Sequence, residues 1–78
     1  MTNQEKYVNA FAQALEIPAE DAPGLVYGQS ASWDSVGHMT LVAGLEDAFD
    51  IMMEMDDIID LSSFEKGREI LRKYDVDI

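Results

Sequence analysis

Apolar positions recur at helical spacing almost from the start of this chain. Val8, Phe11, Ala12 and Leu15 fall at i, i+3, i+4 and i+7, one stripe down a single helix face. Thr2 with Glu5 three residues later has the spacing of a capping box, so a helix is expected to begin there. Pro18 is expected to close it, because a proline pushes the residue before it out of helical backbone space. Residues 16–33, EIPAEDAPGLVYGQSASW, contain Pro18, Pro23, Gly24 and Gly28 and read as a loop. A connection this long is uncommon in a compact domain unless it packs or has a task. Leu25, Val26, Tyr27 and Trp33 are candidates to pin it to the core.

A second helix is expected from about Ser35 to Phe49, and it carries two apolar stripes. At about 100° per residue, Val36, Met39 and Ala43 share one face while Leu41, Leu45 and Phe49 lie nearly opposite. One face can join the core; the other is either covered by neighbouring elements or left to a partner. DIMMEMDDIIDL reads as a turn followed by about one helical turn near Asp56–Leu61. A last helix is expected to start with Ser62 and Glu65, a second capping-box spacing, with Phe64, Gly67, Leu71 and Tyr74 on one face. Gly67 would permit close approach of another helix, and the tail DVDI is expected to fray. No strand-like alternation of useful length occurs. The expected fold is all-α, a small four-helix bundle with a long first loop and a short third helix.

Size and composition narrow the picture. The 78 residues suit one domain, 1–78, with a small core. There is no cysteine, so neither disulfides nor thiolate-bound zinc can act as a staple. A thioester on this protein would have to use sulfur from an attached group. MTNQEKY lacks the features of a signal peptide, and no apolar run reaches the length of a membrane span, so a soluble cytoplasmic protein is expected. The net charge of −11 is unevenly spread. Between residues 34 and 61, Asp34, Glu46, Asp47, Asp50, Glu54, Asp56, Asp57 and Asp60 face no Lys or Arg. That balance argues against nucleic acid as a partner and favours basic protein surfaces.

SWDSVGHM, residues 32–39, holds the candidate chemistry. Ser35 and His38 are three residues apart and could meet on one helix face, but no second acid is placed to orient the imidazole as a nucleophile's base. His38 is expected to be a surface or core-edge side chain. An EF-hand register starting at Asp50 fails, with Met55 at the sixth position and Leu61 at the twelfth. Met53 is the most suited of Met52, Met53 and Met55 to fill a core gap. A serine opening a helix is exposed, and the free N–H groups and positive dipole end there favour an anion such as a phosphodiester. The plain alternative is that Asp34 or Ser35 is only an N-cap.

WDSVGHMTLVAGLEDAFDI, within this order of helices, resembles the modification motif and recognition helix of the acyl carrier proteins, and the resemblance spans essentially the whole chain. It reads Asp34-Ser35-Val36 where the family usually has Asp-Ser-Leu. The resemblance implies a bundle of acyl-carrier type and a protein that is not itself an enzyme. A phosphopantetheinyl transferase would attach 4′-phosphopantetheine from coenzyme A to Ser35, flanked by Asp34. The arm's thiol would hold acyl groups as thioesters. By position, Val36, Met39 and Ala43 match the family's apolar docking contacts, and Glu46 and Asp47 its acidic ones, toward acyl-loading and acyl-transfer enzymes with basic surfaces. A monomer is implied. Thr40 stands where the family often has an acid, and Gly37 replaces a better helix former at a cost of up to about 1 kcal/mol. The motif's surroundings look most like stand-alone carriers of specialised pathways, such as polysaccharide or secondary-metabolite assembly. The alternatives are an aminoacyl or peptidyl carrier, or an unmodified acidic interaction module.

Overall fold

The computed structural model describes residues 1–29 and 31–78; Ser30, inside the expected loop, lies outside them. Helix α1 (Asn3–Leu15) opens on its capping box: Thr2 Oγ1 accepts the Glu5 N–H at 3.1 Å, and Glu5 Oε1 accepts the Thr2 N–H at 2.9 Å. Hydrogen bonds from Thr2, that of its backbone first, hold the Glu5 carboxyl below its ordinary range. The helix ends at Leu15 with Glu16 in left-handed backbone (φ 55°), before Pro18 is reached.

The buried face of α1 differs from the expected stripe. It runs Tyr7, Phe11, Leu15, with Val8 packed at its edge. Tyr7 can bury its ring because its hydroxyl finds a partner, donating to the Phe64 carbonyl at 2.6 Å. That burial pushes the phenol's pKa well up.

Three further helices follow among the described residues: α2 (Ser35–Phe49), α3 (Met55–Asp60) and α4 (Phe64–Lys73). The fold is all-α. The long connection after α1 contains a 3-10 turn at Ala19–Asp21 and is held in two ways. Its backbone bonds to the α3–α4 connection, with Tyr27 N–H donating to Ser62 O (2.8 Å) and Phe64 N–H to Leu25 O (2.9 Å). Its Trp33 enters the core, completing an aromatic cluster with Tyr7, Phe11 and Phe64 at centroid spacings of 4.7–5.3 Å. Leu41, Leu45, Leu61 and Leu71 fill the space around it.

Helix α4 starts one residue later than its sequence suggested. Ser63 is the N-cap, accepting the Lys66 N–H at 3.0 Å, while Ser62 lies in the preceding connection with its carbonyl bonded to the Tyr27 N–H. Gly67 does permit close approach, of the Tyr7 side chain: a Cβ there would lie 2.1 Å from the Tyr7 hydroxyl. The tail, expected to fray, makes defined contacts. Asp75 turns the chain back in left-handed backbone (φ 65°), Val76 N–H caps the Leu71 carbonyl at 3.2 Å, and the Val76 side chain is buried. Asn3, Arg68 and Arg72 then bond the carbonyls of Asp77 and Ile78.

Helix α3 is inverted in its burial. Asp57 is its buried residue, while Met55 and Ile59 are each 74% exposed. Asp57 receives hydrogen bonds from Lys73 Nζ and the Tyr74 hydroxyl, and that hydroxyl also accepts the Glu54 N–H at 2.9 Å. The Lys73 bond, then the Tyr74 bond, hold the Asp57 carboxyl below its ordinary value of 3.8, and the same bond to Asp57 raises Lys73 above 10.5. Asp57 therefore adds stability above the ordinary carboxylate range that disappears as pH falls through its lowered native pKa. The contribution of Lys73 is complete below 10.5 and disappears as pH rises through its raised native pKa. In urea denaturation, Asp57→Asn is expected to be less stable than wild type by a constant margin between these limits. The margin should shrink below pH 3.8 and above pH 10.5. A margin that does not change with pH would remove the ion pair from this account.

Candidate functional site

The N-terminus of α2 is built by Asp34 and not by its neighbour Ser35. Asp34 sits in extended backbone, its Oδ1 accepts the Gly37 N–H at 2.8 Å, and its carbonyl accepts the His38 N–H at 2.8 Å. Asp34 is thus the N-cap. Ser35 is the first helical residue, exposed, with no hydrogen bond from its hydroxyl to any described residue. The Ser35 and Val36 N–H groups have no partner within the helix, and the dipole there is positive, which suits an oxyanion carried on Oγ.

What holds this turn in place lies beneath it. Trp33, with no exposed surface, donates its indole N–H to His38 Nδ1 at 3.0 Å, and His38 Nε2 lies 2.8 Å from the Ile58 carbonyl. An indole is donor only and a carbonyl acceptor only, so these neighbours assign the ring as the Nε2–H tautomer. Tyr27 closes the cluster with edge contacts to Trp33 (5.9 Å) and His38 (5.2 Å). Both imidazole nitrogens are occupied, so His38 has none left to take a proton from Ser35. Of the surface or core-edge placements expected for His38 the structure shows the core-edge one, and the ring is a joint between the loop, α2 and α3.

Around Ser35 the apolar groups are unusually exposed. Val36 is 75% and Met39 57% exposed on α2, and Ala43 on the same side is exposed too. Met55 and Ile59 extend the exposed apolar set onto α3, and Met52 lies open in the connection, whereas Met53 is buried as its neighbours are not. Ile59 had no sequence signal as an outward residue, because the pattern of Ile58 and Ile59 does not say which one faces in. The two acidic positions part company. Asp47 is exposed, but Glu46 is half-buried and its Oε2 accepts the Met53 N–H at 2.8 Å, bracing the α2–α3 connection.

On the α1 side, two grooves lie along the seam with α2. One of about 570 Å³ has Leu15, Glu16, Asp34, Val36 and Gly37 on its walls. The other, of about 480 Å³, reaches Lys6, Ala10, Gly44, Asp47 and Ala48. Gln13, Ala14 and Thr40 line both. Among the described residues no group of three or more His, Asp or Glu is arranged to hold a metal ion, and no helix is long and apolar enough to cross a membrane. Comparison with protein-family models, curated proteins and solved structures finds no match to the chain.

Gly37 has a packing reason that outweighs helix propensity. A Cβ there would stand 2.7 Å from the Ser32 carbonyl oxygen and 3.0 Å from a Leu15 methyl, whereas at Gly44 it would meet nothing within 4 Å. Gly37→Ala is expected to destabilise the fold on balance, since overpacking costs about 1–3 kcal/mol against a gain of about 1 kcal/mol from helix propensity. Gly44→Ala is expected to stabilise by about that gain. Urea midpoints check both, and a Gly37→Ala protein as stable as Gly44→Ala would contradict the close packing of loop on helix.

Proposed function

We propose that this protein is an acyl carrier with a bundle of that type, bearing 4′-phosphopantetheine on Ser35. The observation that carries the reading is the Ser35 hydroxyl itself: exposed, unbonded among the described residues, and set at a helix start whose capping is done by Asp34. A transferring enzyme can reach such a hydroxyl, and α2 behind it is rigidly joined to the core. In the transfer, Ser35 Oγ attacks the phosphorus of coenzyme A that bears pantetheine. The new O–P bond replaces the bond to 3′,5′-adenosine diphosphate, which departs, and the hydroxyl proton goes to the transferase. The positive end of α2 favours the resulting phosphodiester.

When attached, the arm supplies a thiol able to hold an acyl group as a thioester, which a chain without cysteine cannot supply. The remaining roles belong to the surface. Val36, Met39 and Ala43, with Met55 and Ile59, offer apolar contact, and Asp47, Asp56 and Asp60 offer exposed charge to basic partner enzymes. The reading places the protein in the cytoplasm as a monomer that performs no catalysis of its own. An aminoacyl or peptidyl group is the alternative cargo. The exposed Met55 and Ile59 also suit a second reading, an unmodified module that binds a basic, partly apolar protein.

Incubation with coenzyme A and a broad-specificity phosphopantetheinyl transferase is expected to add one phosphopantetheine by intact mass, and Ser35→Ala to abolish the addition. An unaltered mass under conditions that load a control carrier would overturn the carrier reading and leave the interaction module. Asp47→Lys is expected to slow the same loading reaction several-fold at low salt and less near physiological salt, where screening acts within about 8 Å. Glu46→Lys would also free the Met53 N–H, so Asp47 gives the cleaner measure of steering. Equal rates at every salt concentration would remove it.

A further inference from the structure

We infer that the seam between α1 and α2 is the resting place of the prosthetic arm, an inference that rests on the carrier reading. The two grooves share walls at Gln13, Ala14 and Thr40 and so lie end to end along the seam. Their course begins at Asp34 and Val36, the residues on either side of Ser35, and ends at Asp47 and Ala48. Helical rise makes the stretch from Val36 to Ala48 about 18 Å long. A chain tethered at Ser35 would enter at one end and lie along it.

The lining matches that occupant in chemistry as well as position. Between its phosphate and its thiol the arm is uncharged, with geminal methyls, a hydroxyl and amides. In a chain of net charge −11 the shared middle of the seam is also uncharged, at Gln13, Ala14 and Thr40. Ala10, Ala14 and Gly44 leave room and apolar surface for methyl and methylene groups. The Gln13 amide is exposed and unbonded to any described residue, so it can donate to and accept from an amide of the arm. Thr40 Oγ1 donates to the Val36 carbonyl at 3.0 Å and keeps a lone pair for an N–H. The tether makes such contacts intramolecular, so weak ones suffice. An arm in the seam would leave Met39, Met55 and Ile59 open to a partner enzyme.

The absence of cysteine makes the test direct, because after loading the arm's thiol is the sole thiol in the protein. A thiol-reactive nitroxide on the loaded, 15N-labelled protein is read by amide intensities before and after the nitroxide is reduced. Intact mass first establishes loading. The amides of Asn9, Ala10, Gly44 and Ala48 are expected to lose most intensity, and those of Met55 and Ile59 to keep most of theirs, independently of protein concentration. Gly44→Leu, at a position where a Cβ meets nothing within 4 Å, is expected to fold and to restore the Asn9 and Ala10 signals. Broadening centred on α3, spread evenly over the surface, dependent on concentration, or unchanged by Gly44→Leu would overturn the seam while leaving the carrier intact. Failure to load would overturn the carrier reading itself, and the seam with it.

Discussion

A helix of six residues does not hold itself together in water, and α3 keeps its place because other elements bond to its polar groups. Lys73 and Tyr74 of the last turn take the Asp57 carboxylate, Tyr74 takes the Glu54 N–H, His38 meets the Ile58 carbonyl, and Glu46 accepts the Met53 N–H just before the helix. The usual division of labour is reversed. An acid faces inward with partners, and Met55 and Ile59 face water. Holding the helix through these hydrogen bonds, with Ile58 packed on the core, leaves Met55 and Ile59 available for contacts with another molecule.

The same economy governs the start of α2. Trp33 and His38 tie the end of the long loop to α2 and α3 in one joint, and Gly37 lets that loop lie against the helix. Capping is done by Asp34, and the Ser35 hydroxyl bonds to none of the described residues. An exposed hydroxyl at a helix start, unbonded to the described residues, is the feature on which the proposed attachment rests. The oxyanion preference of a helix start adds to this, but would be unremarkable had Ser35 been the cap.

Much of this was legible in the sequence where local rules decide. The Thr2–Glu5 box, the extent of α2 and its two opposed stripes, and the choice of Met53 as the inward methionine all follow from spacing and side-chain chemistry. The misses share a cause, which is a partner distant in sequence. Tyr7 is buried because Phe64 supplies a carbonyl, and Ser62, where the spacing placed the cap, lies in a connection that bonds to Tyr27 while Ser63 caps. Val76 packs because Asp75 turns left-handed, and Glu46 points toward Met53 instead of wholly outward. Asp57 looked like one more solvated acid among eight, since nothing local marks it for Lys73 and Tyr74. At the candidate site, the helix start and the exposure of Val36, Met39 and Ala43 were readable, but the half-burial of Glu46 was not.

The joint beneath Ser35 also endows the protein with an intrinsic optical gauge. Its single indole is wholly shielded from solvent and bonded to a ring that in turn touches α3. Any loosening of the long loop, of the first turn of α2 or of α3 against it would wet or unstack that one chromophore, so its emission follows the opening of all three without a dye.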